Sequence, residues 1–426
     1  MTEAIQNRRK EYVIPILIIG ALFFVFGFVT WLNATLIPYL QISCELTSFE
    51  SYLVTFAFYI SYFVMAFPSS LVLKKTGFKN GMSLGLVVMA IGAMVFVPAA
   101  MTRTYTWFLF GLFIQGTGLA LLQTASNPYV TILGPIESAA KRISIMGVAN
   151  KFAGILSPII LGAVVLEGID SIKEKIVTMD AVAKAAELDM LSHKVIMPYV
   201  VMAVVLVLLA LMIRYSALPE VEGDNEESGA DEAKKTSLLQ FPYLWIGVVA
   251  LFFYVGAEVV AVDTLISYGN SLGFELAEAK FFSSFTLGGM IVGYFFGIFL
   301  IPKFISQQKA LTYFSILGVI FTLIAITTDG YTSILFIAAL GFANSIMWPA
   351  IWPLAIDGLG KFLKTGSAFL IMAIAGGATI PLIYGYLAGL ENVGNRLAYI
   401  ILVPCYLIIL YFAVKGHKIG KVFKNK

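Results

Sequence analysis

The sequence predicts an all-α polytopic membrane protein in which twelve transmembrane helices form two related six-helix bundles. Three observations lead to this fold class. Of the 426 residues, 59% are hydrophobic and only 12% are charged, whereas about 25% are charged in a typical soluble domain. Apolar runs of about 20 residues, the length needed to cross a bilayer, recur along nearly the whole chain. Similar short motifs also recur in the same order in its two halves.

The predicted spans fall into two sets of six. The first set covers roughly residues 12–41, 50–73, 79–100, 105–133, 143–167 and 195–213. The second set covers roughly residues 242–270, 277–301, 308–327, 331–357, 362–388 and 393–414. The first apolar run is longer than the hydrophobic region of a secretory signal peptide. We therefore expect it to be a membrane span and not a cleavable leader.

Two polar segments interrupt the spans. The longest polar stretch, PEVEGDNEESGADEAKKTS at 219–237, follows the sixth span and has the composition of a flexible linker. The expected organisation is therefore an N-terminal bundle at 1–213, a cytoplasmic linker at 214–241 and a C-terminal bundle at 242–426. The other long loop, 168–194, has a helix-forming composition and predicts a short helix on the outer surface.

Paired motifs indicate that the second bundle repeats the first. Spans five and eleven each carry glycine, proline and glycine four residues apart, at Gly154, Pro158, Gly162 and at Gly377, Pro381, Gly385. Span one contains ATLIPY (34–39) and span seven contains DTLISY (263–268). Spans four and ten carry proline motifs, at Asn127-Pro128 and Trp348-Pro349. A parallel repeat of this kind places a substrate site near the membrane midplane, between the bundles.

The basic residues set the expected orientation. With the N-terminus inside, 20 of the 28 Lys and Arg residues lie on the inner side and seven on the outer side, and Lys151 remains within span five. The positive-inside rule therefore predicts two cytoplasmic termini in a plasma membrane, most simply a bacterial inner membrane. Because the basic residues are dispersed along the inner side, nucleic-acid binding is not expected.

The sequence offers little for catalysis. Cys44 and Cys405 lie in different halves, and His193 and His417 are solitary, so neither a disulfide framework nor a transition-metal site is predicted. We find no phosphate-binding loop and no nucleophile motif. We therefore expect a protein that is not an enzyme and has no cofactor.

Four segments carry a resemblance to a known family: FGFVTWLNATLIPYL, LLQTASNPYVTILGP, YVGAEVVAVDTLISYG and MWPAIWPLAIDGLGKF. They resemble the fucose–galactose–glucose symporter family of the major facilitator superfamily, and in particular its glucose/galactose transporter branch. The similarity extends over all twelve spans. It implies the major facilitator fold, a small-molecule sugar as substrate, a coupling cation and a protein that works in the bilayer as a monomer.

One departure from that family concerns the coupling cation. The proton-coupled fucose permeases carry carboxylates at the positions of Ala34 and Gln123, and this chain has neither. The internal repeat pairs Ala34 with Asp263, so a carboxylate occupies the equivalent position of the other half. We therefore hypothesise that Asp263, with or without Glu258, forms a cation site, that is, a metal site for Na⁺. Thr264 and nearby backbone carbonyls are further oxygen donors.

The choice of cation and the geometry both leave alternatives. The resemblance implies Na⁺ in preference to H⁺, since some members of the glucose/galactose branch are sodium-dependent. Five residues along an ideal helix leave Glu258 and Asp263 about 140° apart around the axis. They would meet only if span seven were broken near Gly256. Either carboxylate could instead form a structural hydrogen bond to a neighbouring helix.

Lys151 has two interpretations. It lies two turns into span five and could neutralise one of the buried carboxylates. Alternatively, its long side chain could extend along the helix to place the ammonium group at the inner surface.

A sugar pocket needs a few polar groups in mostly apolar surroundings, together with an aromatic face. The candidates within the spans are Gln123, Asn127, Asn33, Trp31, Asn150, Asn344, Trp348, Trp352 and Tyr254. Pro349 and Pro353 are expected to open span ten and to free backbone carbonyls towards the cavity. The alternative for the tryptophan pair is helix packing or anchoring at the membrane surface.

The function that these observations predict is secondary active transport. A neutral hexose such as glucose or galactose would enter with a cation by alternating access. A second interpretation keeps the fold but has H⁺ carry another neutral sugar, such as fucose or N-acetylglucosamine. A third interpretation is a membrane sugar sensor that does not transport.

Overall fold

The computed structural model describes residues 2–132, 139–216, 218, 237–301 and 303–420. Side chains at 2–14, 128, 131–132, 139–144, 361, 363 and 364 lie outside that description. Every regular element in the described part is a helix. We refer to spans one to six as the N-terminal half and to spans seven to twelve as the C-terminal half.

The helices of the N-terminal half follow the predicted spans. Their bounds are Thr2–Thr30 and Asn33–Ser43 for span one, Ser48–Ser51 and Leu53–Met101 for spans two and three, Tyr105–Ile132 for span four, Ala139–Val165 for span five and Ile196–Tyr215 for span six. Helices Ile169–Lys175 and Ala181–His193 lie between spans five and six.

The C-terminal half repeats this order. Its α-helices are Pro242–Asp263 and Leu265–Ser271 for span seven, Leu276–Leu300 for span eight, Gln307–Thr327 for span nine, Gly330–Asn344 and Met347–Ile356 for span ten, Leu363–Met372 and Gly376–Ala388 for span eleven, and Gly394–Ala398 and Leu402–Val414 for span twelve. Short 3-10 turns accompany them at Leu238–Gln240, Gly360–Phe362, Ala373–Ala375, Tyr399–Ile401 and Gly416–Lys418.

Twelve membrane spans emerge once one long helix is divided. In the described residues, eleven helices are long and apolar enough to cross a bilayer, and one of them, Ser48–Met101, is 54 residues long. Its backbone turns at Gly77, where φ is +74°. Glycine reaches this left-handed region with little steric cost. Gly77 therefore separates spans two and three, and the predicted fold class of twelve helices is confirmed.

The linker prediction is only partly within the described residues. Span six continues to Tyr215 and a 3-10 turn occupies Leu238–Gln240, so both ends of the 214–241 segment are helical. Residues 217 and 219–236 lie outside the described residues. The division into two bundles at these boundaries remains a prediction.

The loop at 168–194, which is predicted to lie on the outer side, is helical as expected, but it contains two helices. Asp180 begins the longer one by accepting hydrogen bonds from the backbone N–H groups of Val182 at 2.9 Å and Ala183 at 2.8 Å. This helix packs onto span one, where the hydroxyl of Tyr39 donates to the carbonyls of Leu191 and Ser192.

Two interfaces join the halves, and the repeated glycine motifs lie in both. We call the contact of span five with span eight the 5–8 interface and the contact of span two with span eleven the 2–11 interface. In the first, a Cβ added at Gly162 would lie 3.0 Å from Cδ of Lys280. In the second, a Cβ added at Gly385 would collide with the ring of Tyr52. Glycine at both positions allows the halves to approach closely.

The halves also contact each other at the predicted outer end of the molecule. Asp170 of the N-terminal half accepts a 2.7 Å hydrogen bond from the backbone N–H of Leu276, in the first turn of span eight, and a 3.2 Å bond from Asn270. Lys173 donates to the same Asn270 at 2.9 Å. These contacts hold the outer ends of spans five, seven and eight together, so the structure is closed at this end.

Candidate functional site

A buried ion pair joins the two halves. Nζ of Lys151, on span five, lies 2.6 Å from Oε1 of Glu258, on span seven. Both residues are only 7% exposed. Lys151 therefore neutralises Glu258, as one interpretation of the sequence proposed, and does not extend to the inner surface.

Apolar side chains from both halves surround this pair. The ammonium group of Lys151 lies 4.4 Å from the centroid of the Trp31 ring. Trp31 belongs to a small cluster with Val262, Leu287 and Met290, separate from the main core. The surroundings are thus of low polarity, where an ion pair is held strongly but the loss of one partner is costly.

Asp263, the other carboxylate of span seven, is in a different situation. It is 0% exposed, and neither carboxylate oxygen has a hydrogen-bond partner among the described residues. Lys151 is within electrostatic range of Asp263 but is paired with Glu258. A buried carboxylate without a partner is strongly disfavoured in its charged form. It is therefore a candidate for binding a proton or a metal cation.

Span seven has an interruption, and it does not lie near Gly256. The helix is continuous from Pro242 to Asp263 and is interrupted at Thr264. Gly256 is needed for packing instead, because an added Cβ would collide with Ile380 of span eleven. Glu258 and Asp263 consequently stay on one regular helix. The condition for them to meet, a break near Gly256, is therefore not fulfilled, and the two carboxylates have separate surroundings.

The hydroxyl of Thr264 is already engaged in the C-terminal half. It donates to the carbonyl of Val260 at 2.7 Å, as a helical threonine commonly does, and lies 2.7 Å from the hydroxyl of Tyr399. Among the described residues, no three His, Cys, Asp or Glu side chains lie together as they would around a metal ion.

The N-terminal half presents several amides. Gln123 donates to the hydroxyl of Tyr62 at 2.8 Å and is half-buried, and Asn127 lies one turn further along span four. Asn33 begins the second helix of span one and is 1% exposed, with neither amide atom hydrogen-bonded within the described part of the chain. Asn150 donates to the carbonyl of Phe23, at 3.4 Å, and so fastens span five to span one.

The C-terminal half presents an aromatic group. The rings of Trp348 and Trp352 stack with centroids 5.4 Å apart, and Tyr254 lies 6.4 Å from Trp348. Tyr254 is one turn before Glu258 and interacts with its carboxylate. Asn344, nearby on span ten, accepts a 3.0 Å hydrogen bond from Tyr406. Both tryptophans are half-buried, so each keeps part of its surface accessible.

In span ten, the backbone carbonyl that Pro353 leaves without a helical donor forms a hydrogen bond that we did not expect. The helix is interrupted at Ser345 and Ile346, before both prolines. The carbonyl of Pro349, which loses its helical donor at Pro353, accepts a 3.1 Å hydrogen bond from the side-chain amide of Gln307. The expectation that this carbonyl faces the cavity is therefore wrong, because an amide from span nine occupies it.

Three residues between the halves escaped the sequence reasoning. Lys280 was assigned to the outer side by the charge count, yet it is 7% exposed and packs on Gly162. Tyr52 and Tyr59 are 2% and 3% exposed. Tyrosine is common in membrane spans, and no local pattern distinguished these two. Their seven-residue spacing, which places both on one face of span two, is the only signal that could have found them.

Twelve apolar spans, with charged side chains buried between two halves, define a polytopic membrane transporter. The sequence profile of the Major Facilitator Superfamily matches residues 19–382. The chain belongs to this superfamily. It is a multi-pass membrane transporter and not an enzyme, and the predicted family is confirmed.

Relatives and solved structures agree with this assignment. The chain is 33% identical over 415 residues to the glucose/galactose transporter of Brucella abortus, covering 97% of this chain and 96% of that one. It is 35% identical over 402 residues to the putative glucose/galactose transporter of Helicobacter pylori, covering 93% and 95%. The E. coli fucose:proton symporter FucP is similar in structure, with a TM-score of 0.71 and 29% identity over 94% of this chain and 98% of that one. A FucP structure is in the outward conformation, whereas this chain is closed at its predicted outer end.

Proposed function

We propose that this protein is a cation-coupled symporter that carries a neutral hexose, such as glucose or galactose, by alternating access. The relatives named as glucose/galactose transporters support the sugar class. The proposed location is a bacterial inner membrane, with both termini in the cytoplasm and a monomer as the working unit.

One observation supports the coupling most directly, namely the unpartnered carboxylate of Asp263 between the halves. Lys151 and Glu258 cancel each other, so Asp263 keeps a negative charge that no ion-pair partner among the described residues balances. One monovalent cation balances this charge. A cation that crosses 100 mV contributes about 2.3 kcal/mol, which supports roughly 50-fold accumulation of a neutral sugar at equilibrium.

A separate observation supports an uncharged sugar as the substrate. In the described part of the centre, the ammonium group of Lys151 is engaged by a carboxylate and is not available to hold an anionic sugar. Amides and aromatic rings remain. Gln123, Asn33 and Asn344 would bond sugar hydroxyls, and the stacked pair of Trp348 and Trp352 would cover an apolar sugar face.

Sodium is the cation that we favour, because this chain lacks carboxylates at Ala34 and Gln123. The second candidate is a proton, favoured by the similarity to the fucose:proton symporter FucP. A proton-driven carrier of another neutral sugar, fucose or N-acetylglucosamine, is the corresponding alternative. A sensor without transport would bind sugar but would not move it.

Uptake of labelled glucose into proteoliposomes tests the proposal. We expect accumulation above the equilibrium level with an inward Na⁺ gradient and equilibration alone without a gradient. Excess unlabelled galactose should compete, while fucose, N-acetylglucosamine and the anionic glucuronate should compete poorly. Accumulation driven only by an H⁺ gradient would show that the coupling cation is H⁺ and not Na⁺. The absence of sugar uptake under any gradient would overturn the proposed function.

A further inference from the structure

We infer that the coupling cation is Na⁺ and that it is held by side chains of both halves: Asp263 and Ser267 of span seven, and Tyr52 and Tyr59 of span two. This inference rests on the proposed function, since it names the ligands of the coupling ion. We call these four side chains the oxygen cluster. Neither Thr264 nor Glu258 belongs to it.

Unpartnered oxygens identify the cluster. Both carboxylate oxygens of Asp263, the hydroxyls of Tyr52 and Tyr59 and the hydroxyl of Ser267 are buried, and none makes a hydrogen bond of regular geometry within the described residues. Tyr52 and Ser267 are close enough to interact with each other. A buried polar atom that lacks a partner costs about 1–3 kcal/mol. Several such atoms around one carboxylate indicate a site for a ligand that oxygen atoms bind.

The backbone brings Asp263 and Ser267 together. They are four residues apart, and Thr264 between them keeps right-handed helical angles, with φ −90° and ψ −16°. The amide N–H of Tyr268 also bonds to the carbonyl of Thr264 at 2.9 Å, which continues the helical turn across the break. The two side chains therefore lie on the same face of span seven.

The 2–11 interface brings the tyrosines to this face. A Cβ added at Gly377 would lie 3.0 Å from the ring of Tyr59 and 3.1 Å from Cγ2 of Val259, which is one turn before Asp263. The ring of Tyr52 packs edge-on against Tyr384 at 5.5 Å. Asp263 is within electrostatic range of both tyrosines.

The chemistry of the cluster suits a small hard cation. One carboxylate and three hydroxyls offer five oxygens, which is a coordination shell for Na⁺ and more than a single proton requires. The neighbouring ion pair of Lys151 and Glu258 is neutral, so the cluster carries one negative charge and takes one Na⁺.

The position between the halves explains how the ion could be coupled to movement. Span two belongs to one half and span seven to the other, so Na⁺ on the cluster links the halves in the state that is closed at the outer end. Without the ion, Asp263 is a bare charge in an apolar interface, which disfavours that closed state. A carrier that holds sugar but no Na⁺ therefore does not close at the outer end, and cation and sugar move together.

The first test measures Na⁺ binding without sugar. The purified full-length protein is titrated with NaCl, and the shift of its thermal unfolding is compared with that in KCl. We expect Na⁺ alone to stabilise the wild type and Asp263→Asn to abolish the effect. Stabilisation without any sugar transport would keep the site and overturn only the proposed function. No difference between Na⁺ and K⁺ would overturn the site.

The second test uses milder variants in Na⁺-driven glucose uptake. Tyr59→Phe and Ser267→Ala should each raise the half-saturating Na⁺ concentration about tenfold, with the maximal rate at saturating Na⁺ retained, as for other losses around a bound metal. The matched control is Tyr199→Phe, which removes a buried and unpartnered hydroxyl of span six, where its ring stacks on Phe96. An unchanged Na⁺ requirement in both variants, or coupling to H⁺ alone, would overturn the inference while sugar transport stands.

Discussion

The 5–8 and 2–11 interfaces are built on the same repeated frame but carry different side chains. The side chain of Lys280 packs against Gly162 of span five. The ring of Tyr52 packs against Gly385, the equivalent glycine of span eleven. Two turns earlier in each span, a Cβ added at Gly154 would lie 3.0 Å from Leu287 of the other half, and a Cβ added at Gly377 would lie 3.0 Å from the ring of Tyr59. The two interfaces are therefore related by the internal repeat, position by position.

The charges do not follow this symmetry. Lys151, one turn before Gly154, crosses to Glu258 and forms a closed ion pair beside the 5–8 interface. Asp263 lies towards the 2–11 interface, without a charged partner of its own in the described chain. The repeat thus supplies the same backbone frame to both interfaces. In the proposed function, the ion pair beside the 5–8 interface holds the halves together, and Asp263, towards the 2–11 interface, binds the coupling ion.

The largest effect is expected where the ion pair is broken on one side only. Lys151→Met leaves Glu258 buried without a partner, so we expect a loss of about 3–5 kcal/mol in the free energy of unfolding. Adding Glu258→Gln to the Lys151→Met variant should restore most of the lost free energy of unfolding. The measurement is thermal unfolding of the purified protein, with Lys280→Met as control, since Lys280 has no carboxylate partner among the described residues. Equal losses for Lys151→Met and Lys280→Met would contradict the comparison.

An intermediate effect should separate the two glycines. In Gly385→Ala the new methyl group collides with the ring of Tyr52, and overpacking of this kind costs about 1–3 kcal/mol. In Gly162→Ala it meets the flexible Lys280 side chain at 3.0 Å, and alanine favours the helix by about 1 kcal/mol. We expect slower sugar uptake and lower stability only for Gly385→Ala. Equal behaviour of the two variants would show that the interfaces do not differ in rigidity.

The smallest effect concerns closure at the outer end. Asp170→Ala removes the acceptor for the N–H of Leu276, and the loss of such a helix-capping acceptor costs about 1 kcal/mol. The open state should become about fivefold more populated. We would measure the labelling rate of Ser51→Cys, which is 1% exposed, by a membrane-impermeant maleimide, with Cys44 and Cys405 replaced by Ser.

Asp180→Ala is the matched control for this prediction. Asp180 also caps a helix in the outer loop, but both of its bonds stay within its own segment. It should leave the labelling rate unchanged. A similar increase in both variants would mean that general loosening of the loop, and not the contact between halves, controls access.

Most of the frame could be predicted from the sequence. Apolar runs predicted the spans, and the repeated glycine motifs predicted the internal repeat. Only the structure shows that these glycines lie where the halves approach each other closely. The sequence left open whether span seven breaks near Gly256, whereas in the structure the helix is continuous there and the missing side chain makes room for Ile380. Packing between distant segments decides such cases, and a single sequence does not display it.

The candidate site was predictable to a smaller extent. Glu258 and Asp263 were conspicuous because charge is rare in an apolar span, and Lys151 for the same reason. Tyr52 and Tyr59 were not, because tyrosine is unremarkable in a span until its neighbours are known. The two tyrosines become relevant because span eleven of the other half, more than 300 residues away in the chain, packs against them.

The most direct test of the account compares the two carboxylates in one assay. Glucose accumulation under an inward Na⁺ gradient is measured in proteoliposomes with Asp263→Asn and with the double variant Lys151→Met/Glu258→Gln. We predict that Asp263→Asn only equilibrates glucose, because it has lost the charge that binds the cation. The double variant should still accumulate glucose, because its charges are removed as a neutral pair. Accumulation by Asp263→Asn, together with its loss in the double variant, would contradict the assignment of the coupling ion to Asp263.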